Sequence, residues 1–375
     1  MTAYFDCAAT SPMAPEAREA LLRYIDVAYG NAGSRTHEFG TEANRAIQSA
    51  RAEVAKLVAA RSDEVIFTSG ATEANNLAIL GLRAHGEAAG RRHIVTTQIE
   101  HKAVLEPVQA LAGSGFEVTF VAPGPDGRVG AGAVLAALRP DTLLVSVMQA
   151  NNETGALQPI AEIAAGLAEH PAYFHVDAAQ GFGKELDALR NPRIQLISVS
   201  AHKIYGPKGV GALVARRGKA RIPLQPLQFG GGQERGLRPG TLPVPLIAAF
   251  GAASGAAARD VDARREQCLA VRIRLLDALL PLGAEINGAP DASLASTVNL
   301  SFPGLDSEAV MLVLKDLIAI SNGSACTSAS YEPSHVLTAM GLDRERVDGA
   351  LRFSWSHDSE EPDWDEVAAR IRGLR

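Results

Sequence analysis

Between Glu64 and Val214 short apolar runs alternate with longer segments of helical period. The runs lie near Val65–Thr68, His93–Thr97, Glu117–Val121, Leu143–Met148, Ala172–Val176, Leu196–Val199 and Gly211–Val214. Short, nearly uninterrupted apolar runs separated by helix-length segments define βαβ units. They predict a mainly parallel, seven-stranded sheet buried on both faces. Upstream, Pro15 suits the first turn of a helix that buries Ala17, Leu21, Leu22 and Ile25. A polar loop, Asn31–Gly40, precedes a second helix over about Glu42–Ala60, with Ala46, Ile47, Ala50, Val54, Leu57 and Val58 on one face.

After Gly218 the pattern breaks into a loop rich in Gly, Pro and Arg, running from Gly230 to Thr241. Its mixed charge and modest length predict an ordered, functional loop. A helix over about Leu246–Leu280 then leads into a smaller α+β segment with strands near Thr297–Phe302 and Ala350–Ser354. The expected division is a large domain over 15–255, and a small domain formed by 1–14 and 256–375.

The chain has 375 residues, 47% hydrophobic, which suits two cores better than one and excludes a disordered chain. A net charge of -6 with interspersed lysines and arginines forms no basic stripe, so direct nucleic-acid binding is not expected. No signal-like or bilayer-spanning segment stands out, which predicts a cytoplasmic protein without a membrane partner. The three cysteines, Cys7, Cys268 and Cys326, are far apart and lack CxxC pairing, which argues against both a disulfide framework and a metal cage.

Polar clusters fall where the strands end: Ser69–Thr72, Glu100–Lys102, Asn151–Glu153, Asp177–Gln180 and Ser200–Lys203. Ligands of open α/β sheets sit beyond the carboxyl ends of strands, so these clusters mark a candidate active site. Gly70-Ala71-Thr72 follows a strand and opens a helix; its backbone N–H groups and the Thr72 hydroxyl suit a phosphate, although an ordinary helix cap has the same form. Lys203 follows Ser200 and His202, and Asp177 closes the preceding strand. A lysine able to form a Schiff base, with an aspartate to keep a pyridine nitrogen protonated, is the minimum equipment for pyridoxal 5'-phosphate.

His101 suits stacking on the ring or moving a proton, and a structural histidine is the plainer alternative. Asn152 and Gln180 suit the cofactor's phenolic oxygen; turn formation is their other reading. Cys326 sits in the small, polar run Ser321–Ser330 with no apolar neighbours to bury it, whereas Cys268 sits mid-helix, where burial is expected. Arg352, on an apolar strand, suits either a substrate carboxylate or a structural salt bridge.

The segments Tyr4–Thr10, Thr68–Asn76, Glu100–Lys102, Asn151–Gly155, Asp177–Gln180, Ser200–Gly209, Arg235–Pro243 and Gly323–Ser328 together resemble cysteine desulfurases over nearly the whole chain. The resemblance implies the pyridoxal-phosphate fold of aspartate aminotransferase type, class V branch, in a homodimer. It implies that Lys203 carries the cofactor, Asp177 pairs the ring nitrogen, His101 stacks on the ring, and Thr72, Ser200 and His202 hold the phosphate. Thr241 would reach the phosphate of the partner subunit, while Asn152 and Arg352 would bind the substrate carboxylate. Cys326, on a long loop, would attack the sulfur of free L-cysteine, become a persulfide, leave alanine, and pass its sulfur to an acceptor protein.

Cys7, Asn31–His37 and Arg352–His357 depart from the commoner pattern. They look more like the desulfurases that feed sulfur to DNA phosphorothioate modification than like iron–sulfur housekeeping enzymes. A same-fold aminotransferase or selenocysteine lyase, or a sulfur carrier without catalysis, are the competing readings.

Overall fold

The computed structural model describes residues 2–218, 220–322 and 333–375. Its main sheet contains β2 (Val65–Thr68), β3 (His93–Thr97), β4 (Glu117–Val121), β5 (Thr142–Met148), β6 (Tyr173–Asp177), β7 (Leu196–Ser200) and β8 (Gly211–Ala215), which follow β1 (Ala3–Tyr4) in the chain. The spatial order is β2-β8-β7-β6-β5-β3-β4. Only β8 runs against the others, pairing antiparallel with both β2 and β7. The expected α/β fold with a mainly parallel seven-stranded sheet and a smaller α+β part is therefore what the chain adopts.

Alternate strand residues serve two cores, as the period of two requires. Ile66, Ile94, Leu144, Leu196 and Leu213 pack on one face with helix α3 (Ala71–Leu80) and the helix Lys102–Ala112, while Phe67, Val95, Val145, Phe174, Val176, Ile197 and Val199 pack on the other. The second face is covered partly by helix α2 (Glu38–Leu57) and by the long helix Val244–Leu279, both rich in alanine. Small side chains let these helices approach closely: a Cβ placed on Gly251 would lie 2.5 Å from the Cα of Ala50.

A separate apolar cluster joins Ala3 and Phe5 to residues from Cys268 to Ile371. It surrounds the antiparallel sheet of β9 (Glu285–Asn287), β10 (Thr297–Ser301) and β12 (Ala350–Ser354), while β1 pairs in parallel with β11 (Ile318–Ala319). Ala3 and Phe5 thus belong to this second core, and the chain runs on toward the main sheet, where Ser11 bonds to the His202 carbonyl.

Two expectations need correction. The helix α1 (Pro15–Asp26) buries Ala17 fully, but Leu22 is 42% and Ile25 51% exposed, because its apolar stripe is wider than the surface that α2 and the long helix cover. The second helix begins at Glu38, within the segment expected to be a loop, because the His37 side chain accepts from the Gly40 N–H and caps it. Among the described residues no helix is long and apolar enough to cross a membrane.

Candidate active site

All six parallel strands deliver their carboxyl ends to one edge of the sheet, and the five polar clusters follow β2, β3, β5, β6 and β7 there. Thr68 ends β2, and the chain turns through Gly70 at φ 158° and ψ -176°, a conformation open essentially to glycine alone. A Cβ on Gly211, at the start of β8, would sit 2.7 Å from the Cα of Gly70, so both glycines are required for this approach. The turn opens α3 without a side-chain cap, leaving the N–H groups of Ala71 and Thr72 directed beyond the helix end. Ser200 is buried at the end of β7, its Oγ 3.8 Å from the position of a Cβ on Gly70.

Asp177 ends β6, is 5% exposed, and accepts from Asn75 Nδ2 at 2.7 Å and from the Ala179 N–H at 2.9 Å. Its carboxylate is therefore fixed in orientation. Asn75 lies on the buried face of α3, and the other atom of its amide, Oδ1, has no partner. Lys203 lies in the short turn after β7, and its Nζ donates to the carbonyls of Ala8 and Ala9, the latter at 2.7 Å. Gln180 Nε2 donates to the same Ala8 carbonyl at 3.0 Å, leaving its Oε1 buried and without a partner.

Neutral imidazoles flank these groups. His101 caps the helix Lys102–Ala112, with Nδ1 accepting from the Ala103 N–H at 3.1 Å, so the neutral ring carries its proton on Nε2. Burial pushes the His101 pKa down; Asp177 opposes this, and Lys203 and His335 reinforce it. His202 contacts Thr10 Oγ1 at 3.2 Å, and burial, aided by Lys203 and Lys208, brings its pKa to about 4. Glu100, wholly buried, accepts from Thr97 and the Met148 N–H, and burial lifts its pKa to about 8.

Beside this edge lies a cleft of about 1150 Å³ whose lining includes Thr72, His101, Asn152, Glu153, Ser334 and His335. Arg352 adjoins it through Asn152, which lines the cleft. The guanidinium is 3% exposed, donates to the Asn152 carbonyl at 3.0 Å and to Asp6 Oδ1 at 2.7 Å, and keeps a buried, unpartnered Nε. Both readings of Arg352 thus have a footing: it is in a salt bridge, and a donor remains unused. Ser321 pairs with Arg352 through the backbone, and Ser334 donates to the buried carboxylate of Glu153, whose pKa burial raises. Of the two flanks of the segment carrying Cys326, one lines the cleft at Ser334 and the other pairs with Arg352 at Ser321, while Cys326 itself lies outside the described residues.

Thr241 is elsewhere, exposed in a second cleft of about 430 Å³ lined also by Asn31, Arg51, Gln233 and Arg235. Cys7 and Cys268 are buried, and burial raises their thiols to about 12 and about 11, so neither is a ready nucleophile. Asn75, Glu100, Glu153 and Ser334 went unassigned in the sequence. The available signal was a polar residue on an apolar face, as Asn75 is on α3.

The class-V aminotransferase family model matches residues 3–367. The chain therefore belongs to the class V aminotransferases. It is 47% identical over 373 residues to cysteine desulfurase IscS of Anaeromyxobacter dehalogenans (strain 2CP-C), covering 99% of this chain and 91% of that protein. The solved structure of DndA from Streptomyces lividans is 49% identical with a TM-score of 0.83, covering 94% of this chain and 99% of that one. A NifS-like protein structure is 35% identical with a TM-score of 0.91, covering 100% and 99%. Within its class, the chain is a cysteine desulfurase of the IscS/NifS-like group, which implies L-cysteine as substrate and pyridoxal phosphate as cofactor.

The residues present fit that cofactor. An uncapped helix end suits the phosphate, Asp177 offers an oriented carboxylate for a ring nitrogen, and the unused Oε1 of Gln180 offers a buried acceptor for a donor on the ring.

Proposed function

We propose that L-cysteine is desulfurated at the cleft beside the strand ends, with Cys326 as the sulfur acceptor. The observation that carries the reading is the convergence of Lys203, Asp177 and His101 from the ends of β7, β6 and β3, which the electrostatic influence of Asp177 and Lys203 on His101 reflects. When bound, pyridoxal phosphate supplies an electron-poor ring that stabilises negative charge at the substrate Cα.

The chain supplies the rest. Lys203 would anchor the cofactor aldehyde, and its Nζ would serve as the base for the substrate α-proton. Asp177, steadied by Asn75, holds a proton on the ring nitrogen. Ala71, Thr72, Ser200 and His202 would hold the phosphate, Gln180 and Asn152 would orient the ring oxygen, and His101, a donor through Nε2, would stack on the ring. Asn152 and the spare donor of Arg352 bind the substrate carboxylate. The Cys326 thiolate then attacks the substrate sulfur: an S–S bond forms, the substrate C–S bond breaks, and the remaining three-carbon fragment gains protons to leave as alanine.

A homodimer, with Thr241 serving the phosphate of the partner subunit, accounts for the position of Thr241 away from its own chain's cleft. It also accounts for an exposed apolar group comprising Leu22, Ile25, Val27, Tyr29 and Phe39. The small domain, 1–14 with 256–375, carries the Cys326 segment against the large domain of 15–255. The sulfur goes to an acceptor protein serving DNA phosphorothioate modification. Cys7, Asn31–His37 and Arg352–His357 support that destination, and the 49% identity to DndA stands beside them. An iron–sulfur scaffold as the natural acceptor would overturn the destination without touching the chemistry.

The test is release of alanine and sulfide from cysteine with a reductant present. The intact chain is expected to give equal amounts of both, and Cys326→Ala to keep its colour but not turn over. Full turnover by the variant would transfer the reading to an aminotransferase or lyase.

A further inference from the structure

The loop that carries Thr241 is fastened by two ion pairs, one to α2 through Arg51 and one to the first turn of α3 through Glu73. At its start, Glu234 and Arg235 both adopt left-handed backbone, with φ of 47° and 60°. The strained turn is held by a buried bidentate pair: Arg51 donates to the Glu234 carboxylate at 2.6 and 2.8 Å, and the Phe67 N–H donates to it at 2.8 Å. The Gly240 N–H donates to Gln233 Oε1 at 2.9 Å and closes the loop on itself. Arg238 is thereby delivered to α3, where its Nε donates to Glu73 Oε1 at 2.9 Å.

Glu73 is an unexpected neighbour for a phosphate. It lies in the first turn of α3, beside Ala71 and Thr72, and its other oxygen accepts from the Ser69 N–H at 2.7 Å. That bond fixes the Ser69–Gly70 turn. Burial raises the Glu73 pKa, but hydrogen bonds from Ser69 and Arg238 outweigh it and the net direction is downward, so the group is a carboxylate at neutral pH. A carboxylate one turn from a bound dianion repels it unless a cation offsets the charge. The pair is largely buried, with side chains 22% and 15% exposed, so solvent screens it less than a surface pair.

We propose that Arg238 is a positioning residue for the cofactor phosphate. It neutralises Glu73, so that the carboxylate can shape the turn without opposing the phosphate. The inference rests on the phosphate placement at Ala71, Thr72, Ser200 and His202 given above.

The test is titration of the full-length apo chain with pyridoxal phosphate and, separately, with pyridoxal, which lacks the phosphate, read by visible absorbance. Arg238→Met is expected to weaken pyridoxal phosphate about tenfold and to leave pyridoxal unchanged. Arg238→Lys, which keeps the charge, is expected to stay within about threefold of the parent, and Glu73→Gln combined with Arg238→Met to recover most of the loss. Equal weakening of both ligands by Arg238→Met, or no recovery in the double variant, overturns the proposal. Thr72→Ala and Ser200→Ala separate the two readings. If they weaken pyridoxal phosphate selectively and Arg238→Met does not, only the compensation fails; if they too leave the preference for the phosphate form intact, the phosphate placement fails and the proposal with it.

Discussion

Along the edge of the main sheet, His101, Asp177 and Lys203 lie at or within a few residues of a strand end. Arg352 instead reaches Asp6 and the Asn152 carbonyl from the three-stranded sheet of the second core. The first group is placed by local chain geometry: a strand ends, and its next residues meet those of the neighbouring strands. The second is placed by contacts between segments hundreds of residues apart. Substitutions in the first group are expected to disturb the chemical step, and those in the second to disturb substrate binding and how the two cores meet.

The largest expected effect is on the strand-end side. Lys203→Ala should lower turnover by at least about 10³-fold with little change in unfolding temperature, measured by alanine release and by calorimetry. Asn75→Ala removes one of the two donors that fix Asp177. It should lower kcat by roughly tenfold, and the cofactor absorbance should shift while its occupancy holds. On the other side, Arg352→Met should raise the KM for cysteine by about 10- to 100-fold if the spare donor binds the carboxylate. Asp6→Asn breaks the same salt bridge and should leave KM within a few fold. Equal losses of stability in both variants with KM unmoved would reduce Arg352 to a structural role and erase the contrast.

A smaller effect separates charge from shape at Glu100. Its folded pKa is raised from 4.5 to about 8, so the folded chain binds a proton that the unfolded chain releases above 4.5. Stability from this group is full below about 4.5, and is lost as pH rises through 8. Glu100→Gln mimics the protonated form and should flatten the decline in unfolding free energy between about pH 4.5 and 8, read by denaturant titration. Fully buried His175 acts in the opposite sense: burial lowers its pKa to about 3, so its contribution is lost as pH falls below 6.5. The smallest expected change is from Ser334→Ala, at about 1 kcal/mol, through loss of the cap on the helix His335–Ala339 and of the donor to Glu153.

This contrast also explains what could be read in the sequence. The seven apolar runs of the main sheet match β2 to β8 within a residue or two, because parallel strands buried on both faces have to be continuously apolar. Once the strands are placed, the clusters at Gly70–Thr72, Asp177–Gln180 and Ser200–Lys203 have to share an edge. The pairing of Arg238 with Glu73, of Ser334 with Glu153, and of Arg352 with Asp6 has no such rule. Each joins residues 165 or more positions apart, and nothing in local period or spacing selects one partner over another. The α1 stripe misled for a related reason: period shows that Leu22 and Ile25 share an apolar face, but not whether the chain itself covers it.

Residues 3–11 lie beside β11 and β12 and offer the carbonyls that hold Lys203: the Ala3 and Phe5 N–H groups bond to Leu317 and Ala319, and the Cys7 N–H to Ser354. During synthesis these early residues leave the ribosome long before their docking partners Leu317, Ala319 and Ser354, all of which lie far along the chain on or beside β11 and β12. The lysine cradle is therefore among the last features to assemble, so a nascent or truncated chain lacking β12 holds the main sheet's residues without the seat that orients Lys203. The orientation of Lys203 Nζ is thereby tied to the formation of β11 and β12.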